Sequence, residues 1–532
     1  MLRDHLLLVV PLLFGVTLLT ILSNKIRVSY PILLVISGLI ISVIPGVPNI
    51  FLDPDLVFLV FLPPLLYAAA WNTIWKNFWQ SRRPIFLLAF GLVIATSATV
   101  AYVSNSIIPN FSLAYGFLLG GIISPTDAIA ATSVLGNSKI PKRVVTILEG
   151  ESLLNDASGL VVFRVALAAI LGGQFFILKA GQSFLIVATL GIVIGLAIAG
   201  VIYLIHRFFP TTPSIDSAIT LISPYIMYLT AEHFHFSGVL AVVCGGLFLS
   251  YHSQQIFSFE TRLQLVGLWE TLVYLLNGLV FILIGLQLPH IVNGLEGYSL
   301  GQATMYAAII SLVSVVIRIV WVYPGAYLPI YLSKRIRRKE RVPPWRNVLL
   351  VAWSGMRGVV SLASALAIPL TLSSGEAFPH RNLILYITFV VILVTLVLQG
   401  LGLKPLIRLL KIKDDSKDDQ KVQGIELRVR LAEAVLNYLD TNYGEEIQKQ
   451  ETFKRVRDRY ERMIDIAKRN LDSDQATEAT LNFLPKYRKM LVELVHLRRR
   501  ELNLMSHNGE FSEELIRERL LELDLEEARL KH

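Results

Sequence analysis

Apolar runs of about 20 residues recur over the first 410 positions of this chain, and each is long enough to cross a hydrocarbon core of about 30 Å. Only 17% of the 532 residues are charged, whereas soluble domains carry about 25%. So many apolar runs with so few charges indicate helices that face lipid. We therefore predict an all-α polytopic membrane protein.

The runs divide into 13 predicted membrane spans. We interpret the first as a retained span, because no small-residue cleavage site follows it. The predicted spans cover residues 5–23, 28–46, 55–70, 84–106, 111–135, 144–171, 182–206, 215–231, 237–251, 265–288, 304–332, 347–370 and 383–409.

Basic residues in the loops predict the orientation of these spans. An outside N-terminus puts 17 Lys and Arg residues in cytoplasmic loops, seven of them between Lys334 and Arg346, and leaves only Arg3, Lys179 and Arg381 opposite. Cytoplasmic loops carry the excess of Lys and Arg. We therefore predict a cell (plasma or inner) membrane protein with its C-terminus in the cytoplasm.

Composition also argues against several other classes. The basic loops account for the net charge of +9, so we predict membrane lipid and no nucleic acid as a partner. The single cysteine, Cys244, cannot form an internal disulfide, and no Cys or His cluster has the spacing of a metal site. No nucleophile and base pattern appears, so we predict no enzyme, no catalytic residue and no cofactor.

Two predicted spans are interrupted by helix-breaking residues. In the fifth span, the sequence SPTD at 124–127 lies in an otherwise small and apolar segment, and its proline removes a backbone donor. In the twelfth span, Arg357 lies between two glycines, roughly 15 Å from the inner end. Interrupted spans in corresponding positions are typical of an inverted repeat with two discontinuous helices.

The sixth span carries Glu149, Glu151, Ser152, Asn155 and Asp156 within three turns. Asp156 lies roughly 18 Å from the inner end, near the bilayer midplane. Intramembrane charges are costly and mark functional sites by default. A carboxylate at that depth can bind either a proton or a small hard cation, and competition between the two couples opposite fluxes. The residues therefore favour a cation/proton antiporter.

Each buried charge also has a structural interpretation. Any one intramembrane Asp or Arg can pair to specify helix packing, although Asp127, Asp156 and Arg357 together at similar depth favour an ion site. We interpret Arg164 and Arg318 as paired or snorkelling structural charges.

Three motifs resemble those of the sodium/proton antiporters of the NhaP and NHE branch of the monovalent cation:proton antiporters. They are SPTDAIAATS at 124–133, EGESLLND at 149–156 and GMRGVVSLASALAIP at 355–369. FLPPLLYAAAWN and LLNGLVFILIGL also fit that family, although Asn277 in the latter is equally compatible with packing. The resemblance covers positions 1 to about 410.

The resemblance implies a homodimer in which a six-helix core moves as an elevator-like body against a dimerisation domain. It also implies that the fifth and twelfth spans are broken crossing helices. The ion and proton site, including the Na⁺ ligands, would comprise Asp156, Asp127, Ser152 and Thr126.

Three further residues would support that site. The resemblance implies a buried ion pair between Glu151 and Arg357, with Asn155 bridging the helices. A neutral residue before Asp156 resembles the electroneutral members and implies exchange of one cation for one proton. Sodium is the expected cation, with lithium possible. Potassium/proton exchange remains the main alternative, and a cation channel or an organic-anion symporter is a weaker one.

The last part of the chain changes character. We predict a transmembrane exchanger domain at 1–410, a charged solvated linker at 411–423 and a cytoplasmic α-helical tail at 424–532. The tail shows apolar residues at helical spacing and no glycine-rich phosphate loop, so we expect three or four amphipathic helices. The tail either stabilises the dimer by pairing with its copy, which we favour, or acts as a regulatory sensor.

Overall fold

The structure is a computed structural model of the whole chain. It describes residues 2–26, 28–44, 57–135, 140–172, 177–295, 297–339, 342–372, 375–412, 416–472, 478–507 and 513–531. These residues form two compact units, Met1–Asp414 and Asp415–His532.

The first unit is built from helices, which we number so that α1–α13 follow the predicted spans. They are α1 Leu2–Ile26, α2 Tyr30–Ser42, α3 Leu62–Asn72, α4 Arg82–Ile107, α5a Leu113–Ile123, α5b Ala128–Leu135, α6 Lys142–Gly172, α7 Ile177–Phe208, α8 Pro213–His233, α9 Gly238–Ile256, α10 Phe259–Leu286, α11 Leu300–Leu332, α12a Trp345–Trp353, α12b Val359–Leu366 and α13 Arg381–Leu410. Among the described residues, extended pairing is limited to an isolated bridge between Thr371 and Ala377. The all-α prediction is confirmed.

Within the described residues, every predicted span overlaps a helix or a pair of half-helices, and residues 45–46 and 55–56 of the second and third predicted spans lie outside the described ranges. In the described part of the chain, eight helices are long and apolar enough to cross a membrane, and the segments Val10–Ile26, Tyr30–Ser42 and Phe58–Asn72 are shorter apolar helices. The polar helix α8 and the two short halves of α12 fall outside both groups. The count of 13 crossings therefore stays a prediction.

Small residues let the helices of this unit approach closely. A Cβ atom on Gly120 of α5a would lie 2.6 Å from Ser97 Cα of α4. A Cβ atom on Gly285 of α10 would lie 2.7 Å from Leu39 N of α2. Gly, Ala and Ser are enriched where membrane helices pack backbone to backbone. These contacts hold α5a against α4 and α10 against α2.

The second unit is also helical. Its long helices are α14 Ser416–Asn442, α15 Glu451–Asp472, α16 Glu478–His507 and α17 Glu513–Lys531. Val429 and Ala432 of α14 pack with Ile464 and Ala467 of α15 in a small apolar core. Because α14 begins at Ser416, it occupies part of the 411–423 segment that we predicted as a linker. Charged residues alone are therefore a poor indicator of a helix boundary here.

Candidate ion site

Both predicted helix breaks are present, and they cross each other. Helix α5 is interrupted between Ile123 and Ala128, where Pro125 has no amide hydrogen and restricts the residue before it. Helix α12 is interrupted between Trp353 and Val359. The backbone N–H of Asp127 in the first break donates to Met356 O in the second at 2.8 Å. This bond ties the two breaks together at one point.

Glycines make room for this crossing. A Cβ atom on Gly358 would overlap Asp127 Oδ2, and one on Gly355 would overlap the side chain of Arg318. The backbone φ of Gly358 is −137°, which any residue can adopt. Its role is therefore to leave space beside the Asp127 carboxylate.

Two buried arginines face the carbonyl ends of the first half-helices. Arg357 Nη1 donates to Ser124 O at 2.8 Å at the end of α5a. Arg318 donates from Nε to Ala352 O at 3.1 Å, at the end of α12a. The C-terminus of a helix carries partial negative charge, and a cation placed there stabilises it. Each break thus has an arginine at its negative pole.

Glu151 pairs with Arg318, so the predicted Glu151–Arg357 ion pair is wrong. Arg318 Nη1 lies 2.5 Å from Glu151 Oε1, and Nη2 lies 2.9 Å from Oε2. Arg357 instead extends to the carbonyls of the α5 break. Both arginines lie deep in their spans, and depth along a helix does not reveal which neighbouring helix a side chain faces. Our reading of Arg318 as a paired structural charge is confirmed.

Thr126 and Asn155 link the break of α5 to α6. The Thr126 hydroxyl donates to Glu151 Oε1 at 3.0 Å and accepts from Asn155 Nδ2 at 2.7 Å. Asn155 Nδ2 also lies 3.4 Å from Thr126 O. Asn155 therefore connects α6 to the break of α5. The Thr126 hydroxyl is therefore engaged on both sides, whereas its carbonyl oxygen accepts only the longer of the two Asn155 contacts.

Asp127 caps the second half of α5. Its Oδ1 accepts from Ile129 N at 2.8 Å and from Ala130 N at 3.3 Å, at the first turn of α5b. A carboxylate at a helix N-terminus is stabilised by the amide groups and by the helix dipole. One oxygen of Asp127 is thus committed to the fold, and Oδ2 lies beside Gly358.

Asp156 differs from the other buried charged groups of the site. Only 8% of it is exposed, and no hydrogen bond or ion pair within the described residues engages it. It lines a cavity of about 210 Å³ together with Thr126, Asp127, Ser152, Glu149 and Asn277. A buried charge without a protein partner is costly. Its carboxylate is therefore placed to take a proton or a cation from the cavity.

Ser152 completes the wall next to Asp156. Its hydroxyl oxygen accepts from Ala128 N at 3.1 Å, at the start of α5b, and it lines the same cavity. Glu149, two turns before Asp156 on α6, is exposed and also lines the cavity. Glu149 is therefore an exposed carboxyl group on the cavity wall, nearer than Asp156 to the N-terminal end of α6.

The four ion-site residues predicted from the sequence all line one cavity in the structure. Two further residues, Arg318 and Asn277, were not assigned to the site from the sequence. Arg318 was assigned a structural role without a named partner. Asn277, which lines the cavity, was left open between a family motif and packing. An isolated polar residue in the middle of an apolar span was the available signal for both.

Comparisons with known proteins identify a family. A family model described as the transmembrane sodium/hydrogen exchanger matches residues 11–409. An uncharacterised Na⁺/H⁺ exchanger of Mycobacterium bovis is 31% identical over 529 residues, which cover 99% of this chain and 96% of that protein. A sodium, potassium, lithium and rubidium/H⁺ antiporter of Bacillus pumilus is 34% identical over 418 residues, which cover 76% of this chain and 60% of that protein.

A solved structure shares the fold. The sodium proton antiporter MjNhaP1 from Methanocaldococcus jannaschii matches with a TM-score of 0.61 at 19% identity, over 77% of this chain and 99% of that one. Crossing broken helices around a buried carboxylate define an ion-coupled membrane transporter. The chain belongs to the transmembrane sodium/hydrogen exchanger family.

Proposed function

We propose that this protein exchanges sodium for protons, with Asp156 as the group that binds either ion. The observation that carries the proposal is the isolation of Asp156. It is 8% exposed and lines the cavity, and within the described chain no protein group engages it. A carboxylate in this position is neutral when protonated and neutralised when a cation binds, so the two ions compete for it.

The cation would be held by oxygen atoms, which hard cations prefer. Asp156 supplies a carboxylate oxygen, Ser152 its hydroxyl and Asp127 its Oδ2. The Thr126 carbonyl lies in the same break and adds a fourth oxygen. A cavity of about 210 Å³ leaves room for water to complete the coordination.

The charges around the site favour exchange of one cation for one proton. Glu151 is neutralised by Arg318 at 2.5 Å, and Asp127 is stabilised by the first turn of α5b. The residue before Asp156 is the neutral Asn155. Asp156 is then the one buried carboxylate of this cluster whose charge is uncompensated. Each half of the transport cycle would carry either one Na⁺ or one H⁺, so a full cycle exchanges one for the other and is electroneutral.

Alternating access completes the proposed mechanism. Access from the cytoplasm would pass Glu149, which is exposed and lines the cavity near the N-terminal end of α6, the end that the basic loops would place in the cytoplasm. A core containing α5, α6 and α12 would move as an elevator-like body against the wall that includes α10 and would carry Asp156 to the opposite face. The protein would act as a homodimer in the cell membrane, with the N-terminus outside and the tail in the cytoplasm.

Potassium is the second candidate cation. The Bacillus pumilus relative is named for sodium, potassium, lithium and rubidium, and the oxygen ligands above do not by themselves exclude a larger ion. Potassium is therefore tested beside sodium in the experiment below.

The test uses purified protein in liposomes with an imposed pH gradient and an internal pH-sensitive dye. Sodium, lithium or potassium is added outside, and the membrane potential is clamped in parallel samples. We expect sodium to dissipate the gradient at a rate that the clamp leaves unchanged, and Asp156→Asn to abolish the signal. If potassium dissipates the pH gradient as fast as sodium, the protein exchanges both cations for protons. A potential-driven current without proton movement would instead indicate a channel and would contradict antiport.

A further inference from the structure

Asn277 is a buried polar residue whose position the helix packing does not explain. It lies in the middle of α10 and is 2% exposed, and its Nδ2 atom has no hydrogen-bond partner within the described residues. A buried amide group without a partner destabilises a protein, because its desolvation is not offset. A leucine would fit this apolar segment without that cost. The side-chain amide of Asn277 therefore lacks a hydrogen-bond acceptor among the described residues of the folded protein, and a carboxylate or the water of a bound ion could supply one.

The carboxamide lines the Asp156 cavity from a separate wall. Asp156 and Ser152 lie on α6, and Asp127 lies at the start of α5b, whereas Asn277 lies on α10. Helix α10 packs on α1, α2 and α8. The close approach of Gly285 to the α2 backbone holds α10 in that group. Asn277 is thus presented to the cavity by different helices from those that carry the carboxylates.

A carboxamide suits both occupants of the cavity. Its oxygen can bind a cation or accept a hydrogen bond from a protonated carboxyl, and its NH₂ group can donate to a carboxylate or to a water molecule. A half-turn of the amide exchanges the two ends. The unpartnered group can therefore follow the change between the proton-bound and cation-bound states of Asp156.

We propose that Asn277 is a specificity-determining residue, which contacts the Asp156-bound cation or its remaining water from the α10 wall. This inference rests on the proposed function of Asp156. The carboxamide stabilises the cation-loaded state. It favours the cation whose radius allows the amide oxygen and the oxygen ligands on α6 to coordinate it at the same time. Asn277 therefore sets the KM for the cation and the preference among lithium, sodium and potassium.

A purely structural role for Asn277 predicts different behaviour. Since Nδ2 has no partner to lose, Asn277→Leu should then raise or preserve thermal stability and leave transport unchanged. Under the proposal, the same variant should raise the KM for sodium about fivefold or more, with a smaller change in kcat, and should alter the sodium-to-potassium ratio. Asn277→Thr retains an oxygen and should recover part of the affinity.

A matched control comes from α13. Thr388 is fully buried, its Oγ1 has no hydrogen-bond partner within the described chain, and it is not among the residues that line the cavity. Thr388→Val removes an unpartnered polar group in the same way as Asn277→Leu. It should leave KM, kcat and ion preference at wild-type values.

The experiment measures sodium, lithium and potassium titrations of dye recovery in liposomes for all four proteins, with Asp156→Asn beside them. A raised KM in Asn277→Leu, with partial recovery in Asn277→Thr, supports the proposal. If Asn277→Leu is poorly folded, Asn277→Thr decides the matter, because it should still show a shifted ion preference. Wild-type KM and ion preference in either folded variant would overturn it. Exchange that persists in Asp156→Asn would contradict the proposed function instead.

Discussion

Glu151 and Arg318 form a doubly hydrogen-bonded ion pair in the middle of the transmembrane unit, and both are 1% exposed. Through Arg318, the pair holds the carbonyl end of α12a, and through Glu151, it holds the Thr126 hydroxyl in the break of α5. The pair therefore connects both helix breaks to α6. It fixes the position of the non-helical break that carries Asp127.

Removing one partner of this pair should be strongly destabilising. Arg318→Met or Glu151→Met leaves a buried charge unpaired, which costs about 3–5 kcal/mol, whereas removing both should cost less than the sum of the two. The free energy of unfolding in mixed micelles measures this coupling. A parallel cycle with Glu151→Met and Arg357→Met serves as the control. Additive effects in the first cycle and strong coupling in the second would contradict the pairing seen here.

Space beside Gly358 is needed for the Asp127 carboxylate. A Cβ atom at this position would overlap Oδ2 and would lie 2.6 Å from Asp127 Cβ, so Gly358→Ala must displace the side chain or the break. Overpacking of this kind costs about 1–3 kcal/mol, and we expect initial exchange rates to fall about tenfold.

The matched control for this substitution is Gly267→Ala on α10, where nothing lies within 4 Å of an added Cβ. Rates are normalised to the protein incorporated into liposomes. If Gly358→Ala exchanges ions as fast as Gly267→Ala, Asp127 does not need its observed position.

His380 should make stability depend on pH. This residue precedes α13. Its Nδ1 accepts a hydrogen bond from Tyr298 Oη at 2.7 Å, and its Nε2 lies 3.2 Å from Asn110 O. Burial lowers the pKa of His380 and outweighs the opposing hydrogen bond to Asn110. The unfolded chain then binds the proton more tightly, with a pKa of about 6.5. The contribution of neutral His380 is present above that value and is lost as pH falls below it.

The substitution His380→Asn tests this dependence, because asparagine tolerates the positive φ of 58° at this position. We expect the wild-type advantage in melting temperature over the variant to shrink between about pH 8 and about pH 5. A constant or growing advantage towards low pH would show that the protonated imidazole is the better-bound form.

Much of this site could be predicted because its signals are local. Pro125 and the glycines around Arg357 marked the two breaks, and the rise of 1.5 Å per residue placed Asp156 near the midplane. The sequence SPTD also placed a carboxylate next to the α5 break. These features depend on one segment at a time, so the order of residues is sufficient to find them.

The remaining features depend on how distant helices face each other. Arg318 and Arg357 are each a buried arginine within an apolar span. Which of them pairs with Glu151 depends on how α6, α11 and α12 are rotated relative to one another. Asn277 resembles a packing residue until α10 is placed beside the cavity. The charged segment after residue 412 also shows that local composition does not set the start of α14, because the helix includes charges from Ser416 onward.

The central claim is that one carboxylate binds either a proton or a cation, and proton release on cation binding tests it most directly. Purified protein in detergent micelles is placed in a weakly buffered solution at a pH where Asp156 is protonated. Sodium chloride or choline chloride is then added while the pH of the solution is recorded. Because a cation displaces the proton from a shared ligand, the wild type should release up to about one proton per protomer with sodium and none with choline. Asp156→Asn should release none. Undiminished release from Asp156→Asn, or sodium binding to the wild type without release, would contradict the account.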